Sequence, residues 1–203
     1  MEETMGQQTA YADRSRASLL ASATEVMAEM GLSVTIEVLA VHARVSPATI
    51  YNHFGSKEDY LREALHHTWR QWVTRFYNGR REGESFLTMV DVCRKLFRVN
   101  RDMSTLGRVL RKALEDTPFV MAAIKPSSAV AFKEMLWKSG LEFDEFERRM
   151  DMWSFCIAGI FQDIFVTGKL SPEEADKALG VSLSIWNIPA DQAAKLTSRP
   201  LAY

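Results

Sequence analysis

The 203-residue chain contains few cysteines and few prolines. Its two cysteines, Cys93 and Cys156, lie in apolar stretches and form no Cys-x-x-Cys pair, so a disulfide framework is excluded. Both are predicted to be reduced core thiols, since a redox sensor needs an exposed thiolate near cations. Only six prolines interrupt the chain, most of them at predicted helix ends, and this scarcity favours helices.

The chain also has almost no net charge. A formal charge of −1 gives no general electrostatic attraction to nucleic acid. Residues 1–57 hold four Lys or Arg against six Asp or Glu, so any DNA affinity there must come from a few well-placed groups, repeated in a dimer. Such binding should be modest in affinity and sensitive to salt.

Motifs of the common enzyme classes are missing. The sequence has no Gly-x-Gly-x-x-Gly, no phosphate-binding Gly/Lys loop and no Gly-x-Ser-x-Gly. Among four histidines, His67 lies four residues after Glu63, but one such pair does not make a metal site. We therefore predict no enzyme, no metal and no cofactor.

No segment of the sequence reads as a membrane span or a signal peptide. The most apolar stretch, residues 153–161, is far shorter than the roughly 20 residues that cross a bilayer. Residues 1–16 are polar and of mixed charge. A cytoplasmic protein is expected.

Residues 46–60 carry two helix-start signals within a short span. Ser46 followed by Pro47 is an N-cap with proline at the first helical position, and Ser56 with Asp59 resembles a capping box. Between them fits one short helix. Its exposed side chains are predicted to be Thr49, Tyr51, Asn52 and His53. A short, rigidly held helix of this kind suits insertion into a DNA major groove.

The preceding residues complete a helix-turn-helix. Residues 13–30 have apolar positions on one helical face, and Gly31 ends that helix. A second helix, capped by Ser33 or Thr35, is joined to the Ser46 helix by the tight connection of residues 43–45.

At these residues the chain resembles the TetR family of bacterial transcriptional regulators. The matching residues are Gly31, Thr35–Ala40, Val45–Ser46 and Ala48–Glu58, within a segment of residues 14 to 65. The turn position usually held by glycine in this family is Arg44 here. If that position needs a positive φ, the non-glycine residue costs on the order of 1 kcal/mol.

The resemblance implies the residues that contact DNA. Phosphates would be held by Thr35, Tyr51 and Lys57, with Arg44 as a further candidate. Base edges and thymine methyl groups would be met by Pro47, Ala48, Thr49 and Asn52, with His53 on backbone or base and Ser46 beside them. The resemblance also implies a homodimer that reads a palindromic double-stranded DNA operator.

Residues 61–188 read as a helical body that binds a ligand and dimerises. Aromatic and methionine side chains from several helices could line a cavity, although each alone also suits an ordinary core. The candidates are Trp69, Trp72, Phe76, Phe86, Met89, Phe97, Met103, Phe132, Met135 and Trp153. The resemblance implies a hydrophobic small-molecule effector.

Residues 143–166 show apolar positions in steps of three and four, and residues 171–186 form a second amphipathic helix with a capping box. These two helices either complete a monomer core or form a four-helix interface with a second subunit, and the resemblance favours the dimer. The predicted interface consists of Phe146, Met150, Trp153, Ile157, Ile160, Ile164, Leu179, Leu183 and Trp186.

Residues 94–112 contain seven Lys or Arg and one acid. This basic stripe, Arg94, Arg98, Arg101, Arg108 and Lys112, is either a solvated face, or a surface near DNA or an anionic ligand group.

The sequence thus predicts an all-α protein: a flexible arm at 1–12, a DNA-binding domain at 13–60 with its helix-turn-helix at about 35–54, a ligand-binding and dimerisation domain at 61–188, and a tail at 189–203. The predicted function is a ligand-responsive transcriptional repressor. The alternative is a helical protein-interaction module of the same fold without effector-controlled DNA binding.

Overall fold

The computed structural model describes residues 2–77, 85–100, 102–140 and 143–201. All regular secondary structure in these ranges is helical, as the sequence predicts. The helices are α1 (Glu2–Met30), α2 (Ile36–Ala43), α3 (Pro47–Phe54), α4 (Lys57–Tyr77), α5 (Ser85–Phe97), α6 (Thr105–Ala113), α7 (Thr117–Lys138), α8 (Phe146–Phe161), α9 (Pro172–Ser182) and α10 (Ala190–Ser198). A π-helical turn at Gln162–Val166 follows α8, and 3-10 turns at Leu114–Asp116 and Leu183–Trp186 follow α6 and α9.

Helices α1 to α3 and the first turns of α4 form a small head with its own core. Leu39 of α2 and Ile50 of α3 have no exposed surface, and Phe54 stacks on Tyr60 of α4 at 4.5 Å between ring centroids. The Tyr60 hydroxyl donates to the Leu19 carbonyl at 2.6 Å, and burial raises the pKa of Tyr60 to about 12. These contacts fix α3 against α1 and α4.

The turn between α2 and α3 adopts the left-handed conformation at Arg44, whose φ is 55°. The Val45 amide donates to the Ala40 carbonyl at 3.0 Å, which closes the end of α2. The turn therefore does require a positive φ, and the family's usual glycine position is occupied by a strained arginine.

Helix α4 spans both parts of the molecule. Its 21 residues extend about 32 Å at 1.5 Å per residue. Tyr60, Leu61, Ala64 and Leu65 are buried in the head, whereas Trp69 and Val73 reach the body. A shift of α4 therefore moves groups in both parts.

The core of the body is an aromatic cluster between α7, α8 and the turn after α9. Phe132 lies 5.2 Å from Trp153 and 4.6 Å from Trp186, measured between ring centroids. The Trp153 indole N–H donates to the Ser182 hydroxyl at 3.1 Å. These large side chains lock α7, α8 and α9 together.

Both predicted terminal segments are wrong in part. Helix α1 begins at Glu2, so residues 2–12 are helical instead of a flexible arm. Residues 190–198 form α10, whose Ala193, Leu196 and Thr197 are buried, so the predicted tail is part of the body. The sequence of α10 is short and flanked by Pro189 and Pro200, which makes an amphipathic helix look like a tail.

Candidate DNA-reading helix and ligand cavity

The reading helix α3 is anchored on one side and exposed on the other. The Ser46 hydroxyl accepts from the Thr49 amide at 3.1 Å, and Gly55 ends the helix at φ 81°. Ile50 and Phe54 are buried, which holds the helix down. The exposed residues of α3 are Ala48, Tyr51, Asn52 and His53.

Two of the predicted DNA-contacting side chains have no competing partner. Within the described part of the chain, the Tyr51 hydroxyl and the Asn52 amide make no hydrogen bond, and Tyr51 is 45% exposed. The Thr49 hydroxyl, in contrast, lies 2.9 Å from the Ser46 hydroxyl in the helix cap. Tyr51 and Asn52 are thus better placed than Thr49 to bind a nucleic acid.

The residues predicted to hold phosphates lie around one shallow notch. Thr35, Tyr51 and Lys57 line it, together with backbone at the starts of α2 and α4. The Thr35 side chain caps α2, and Lys57 Nζ donates to the Val34 carbonyl at 3.3 Å. Since an ammonium group has three donors, Lys57 can still reach an anion beside these two helix starts.

Arg44 and Pro47 set the backbone conformation at the turn between α2 and α3. Arg44 provides the left-handed turn with an exposed side chain, and Pro47 opens α3 at its first position. Pro47 is half-buried.

Arg16 is a residue of this region that the sequence motifs do not reveal. Its Nη1 donates to the His53 carbonyl at 2.8 Å, and its guanidinium lies 4.4 Å from the centre of the Phe54 ring. Its Nη2 pairs with Glu63 of α4. Arg16 therefore ties the C-terminal end of α3 to both α1 and α4.

A cavity of about 260 Å³ lies in the body between α4, α5, α7 and α8. Its wall is mainly apolar, and polar atoms come from two cations and several hydroxyls. Five predicted ligand-binding residues line it: Trp69, Met89, Phe132, Met135 and Trp153. The polar residues of the wall are Arg70, Thr74, Lys125, Ser127, Ser128 and Ser154.

The other predicted ligand residues lie elsewhere. Trp72 stacks on Trp69 at 6.0 Å but is not part of the wall, and Phe86 and Phe97 are packed in the core. Met103 is 81% exposed, so its assignment to the cavity is wrong. The side chain of Phe76 lies outside the described residues. Apolarity alone does not distinguish a cavity wall from the core beside it.

The predicted dimer seam is wrong for eight of its nine residues. Phe146 is half-buried and rests under the Lys133 ammonium, 5.5 Å from its ring centre. The other members are buried in a single chain: Met150, Trp153, Ile157, Ile160, Ile164, Leu179, Leu183 and Trp186. These eight residues form the core of a single chain, which is the alternative to a four-helix interface that the sequence left open.

A different apolar face of α8 is exposed. Met152 and Phe155 are 54% and 71% exposed, and Cys156 and Gly159 continue the same face at helical spacing. A methyl group added at Gly159 would meet nothing within 4 Å. On the neighbouring α9, Val181 is 76% exposed. We call these five residues the α8–α9 face.

The basic stripe of residues 94–112 is divided among separate roles. Arg94 Nε donates to Asp176 Oδ2 at 3.0 Å, and Arg98 donates to both Asp176 oxygens at 3.0 and 2.7 Å. The Lys112 side chain packs over Gly31 of the head. Arg101 lies outside the described residues. The stripe is therefore not one continuous basic surface.

The two cysteines should differ sharply in reactivity. Cys93 lies in the cavity wall, and burial raises its pKa to about 12, so its thiol stays protonated at pH 8. Cys156 is exposed on α8. We expect iodoacetamide to modify native protein at most once per chain, at Cys156, measured by intact mass spectrometry. Cys156→Ser should then take up no label, and two adducts on native protein would contradict the burial of Cys93.

Two classes of site are not found in the described ranges. No helix there is long and apolar enough to cross a membrane. Nor do the described side chains bring three His, Cys, Asp or Glu residues together as a metal site.

Comparisons with known proteins agree with this arrangement. Residues 19–64 match the family model of bacterial regulatory proteins, tetR family. No curated protein sequence matches the chain. Among solved structures, RolR in complex with the ligand resorcinol superposes with a TM-score of 0.68 at 18% identity, covering 94% of this chain and 96% of RolR.

Two further structures share the fold. A TetR-family regulator from Streptomyces coelicolor A3 gives a TM-score of 0.55 at 18% identity, with 92% of this chain and 96% of that chain covered. The fatty acid degradation regulator FadR from Bacillus halodurans gives 0.53 at 17% identity, with 85% and 94% covered.

Proposed function

We propose that this protein, which is a TetR family transcriptional regulator, acts in the cytoplasm as a homodimeric repressor that a small, mainly apolar effector releases from a palindromic operator. The observation that carries the proposal is the course of α4. This helix supplies Tyr60 and Leu61 to the head core and Trp69 to the cavity wall. A ligand that prefers one position of α4 therefore biases the position of the reading helix.

The chemistry of the head supports DNA as the partner. Tyr51 and Asn52 present unengaged hydrogen-bonding groups on a rigid helix, which suits phosphate and base-edge contacts respectively. The notch at Thr35 and Lys57 adds two helix N-termini for phosphates. Sequence-specific binding then depends on few residues per subunit, and two subunits are needed.

The α8–α9 face supports a dimer. Met152, Phe155 and Val181 are large apolar side chains in contact with water on two neighbouring helices, and such a group of exposed apolar residues supports an interaction surface. Cys156 and Gly159 are small, so a symmetry-related helix can approach closely between them. The assembly would be built on this face and not on the buried seam.

The central experiment is a gel shift with duplex DNA from the region upstream of the protein's own coding sequence. We expect a retained complex at low ionic strength, and a steep loss of affinity as salt rises. Retention of no fragment above a random duplex would overturn the proposal.

The protein-interaction alternative is favoured by one specific observation. The head has few cations, and two of them are engaged, since Arg16 pairs with Glu63 and Lys57 bonds to the Val34 carbonyl. If the head binds a protein instead of DNA, the gel shift fails for every duplex. The same helix face would then serve a partner protein.

Substitutions on α3 should separate backbone contacts from base contacts. Tyr51→Phe removes one hydroxyl, and we expect specific and random duplexes to lose affinity alike, by about tenfold, because a hydrogen bond to a charged group contributes ~1.5–3 kcal/mol. Asn52→Ala should weaken only the specific duplex, also by at least about tenfold. Fluorescence anisotropy measures both, with Val130→Ala on α7 as the control. Equal losses on both duplexes for Asn52→Ala would contradict its assignment.

A further inference from the structure

Among the described residues, one cation of the cavity wall has no partner of opposite charge. Arg70 lines the cavity on α4, one position after Trp69. In the described part of the chain its guanidinium makes neither an ion pair nor a hydrogen bond. The second cation of the wall, Lys125, is already paired with Asp151 of α8. Of the two cations in the cavity wall, Arg70 on α4 is therefore the one available to a ligand.

The position of Arg70 suits an anionic group. Arg70 is itself exposed, so it stands where the cavity meets solvent, and the apolar residues Trp69 and Val73 flank it on α4. A guanidinium presents a planar fork of donors that matches a carboxylate with two parallel hydrogen bonds.

The remainder of the wall selects for a carbon-rich ligand of limited size. The cavity volume of about 260 Å³ lies just below the roughly 300–1,000 Å³ typical of ligand sites. Rings of Phe132, Trp153 and Phe161 belong to its wall. The Trp153 indole N–H is occupied by the Ser182 hydroxyl, so that ring offers the ligand an apolar surface only.

We propose that the effector is a compact, mainly apolar carboxylate, whose carboxylate binds Arg70 while its hydrocarbon part occupies the space beside Phe132 and Trp153. This inference rests on the proposed function, since it specifies the ligand class of the same cavity. It assigns Arg70 as the residue that determines charge specificity. Because Arg70 belongs to α4, the ligand's charged end would contact the helix that enters the head.

The test compares each acid with its neutral amide, which has nearly the same shape. The probes are 4-phenylbutyrate and octanoate against 4-phenylbutanamide and octanamide, titrated at pH 7.5 into the full chain by isothermal titration calorimetry. We expect at least one acid to bind at least tenfold more tightly than its amide. Which acid binds separates an aromatic from an aliphatic effector.

Variants then assign the charge to a residue. Arg70→Gln should abolish the difference between acid and amide, and Arg70→Lys should retain part of it because the charge remains. Arg75→Gln is the matched control, since Arg75 is an exposed arginine of the same helix outside the cavity wall. It should bind the acid like the unaltered protein. Circular dichroism confirms that each variant is folded.

Three outcomes overturn the inference. Equal affinity of the unaltered protein for acid and amide would show that a carboxylate contributes nothing to binding. A preference for the acid that survives in Arg70→Gln but is lost in Lys125→Gln places the anion at the other cation. Binding of none of the probes also refutes the proposed ligand class. In each case the gel shift with operator DNA judges the proposed function separately.

Discussion

Replacing Phe155 by glutamate should convert the proposed dimer into monomers and weaken binding to the proposed operator by more than about a hundredfold. Phe155 is 71% exposed and is the largest side chain of the α8–α9 face, and a symmetric dimer contains it twice. A central aromatic residue of an interface contributes ~2 kcal/mol or more, and two copies correspond to about a thousandfold in the dimer dissociation constant. Sedimentation equilibrium measures the assembly, and anisotropy measures the DNA affinity.

Two other substitutions define what this result means. Met103→Glu also places a charge at an exposed apolar residue, but in the segment between α5 and α6, outside the α8–α9 face, and it should leave the proposed dimer intact. Trp153→Glu should instead unfold the chain, because this side chain is 6% exposed and stacks on Phe132. A dimer that persists in Phe155→Glu, or a folded monomer produced by Trp153→Glu, would contradict the placement of the interface.

The second large effect concerns the ion pairs that fix α9 to α5. Asp176 is 9% exposed at its side chain and accepts hydrogen bonds from Arg94 and Arg98, while the Arg94 side chain is only 5% exposed. The next carboxylate, Asp91, lies 3.9 Å from Arg94 and forms an ion pair with Arg199 at 2.8 Å. Asp176→Ala therefore leaves a buried guanidinium without a close acceptor from α9.

We expect Asp176→Ala to lower the free energy of unfolding by about 3 kcal/mol, since removing one partner of a buried pair costs ~3–5 kcal/mol. For a chain of this length the melting temperature should fall by about 6–12 °C. Glu173→Ala is the matched control. Glu173 lies on α9 like Asp176 and is 3.6 Å from Arg98, but its side chain is 74% exposed. Its effect should stay below about 1 kcal/mol. Equal effects of both substitutions in urea titrations at one protein concentration would refute the role of Asp176.

The sequence predicts the head of this protein well because its signals are local. Ser46, Pro47 and Gly55 mark the ends of α3 through caps and turns that involve residues within four positions. The left-handed turn at Arg44 is likewise a local property of the backbone. Arg16 escapes such reasoning, since its contact with His53 spans 37 positions and no local pattern marks it.

The body is predicted less well because periodicity does not specify which face meets which neighbour. Helix α8 is apolar around most of its perimeter. Steps of three and four select Ile157, which is buried, whereas Phe155, which lies off those steps, is exposed. Long-range pairs decide the matter, as with Arg94 and Asp176, which are 82 positions apart. For the same reason Arg70 reads in the sequence as one more solvated residue of an amphipathic helix.

The clamp formed by Arg16 has a consequence for how the protein could respond to its effector. Since Arg16 joins the end of α3 to α1 and, through Glu63, to α4, we expect a tilt of α3 to carry the whole head along. The affinity of a single head for one operator half-site would then be the same with and without ligand in the cavity. Monomers of Phe155→Glu should accordingly bind half-site duplexes without any sensitivity to ligand, so that regulation exists only in the pair.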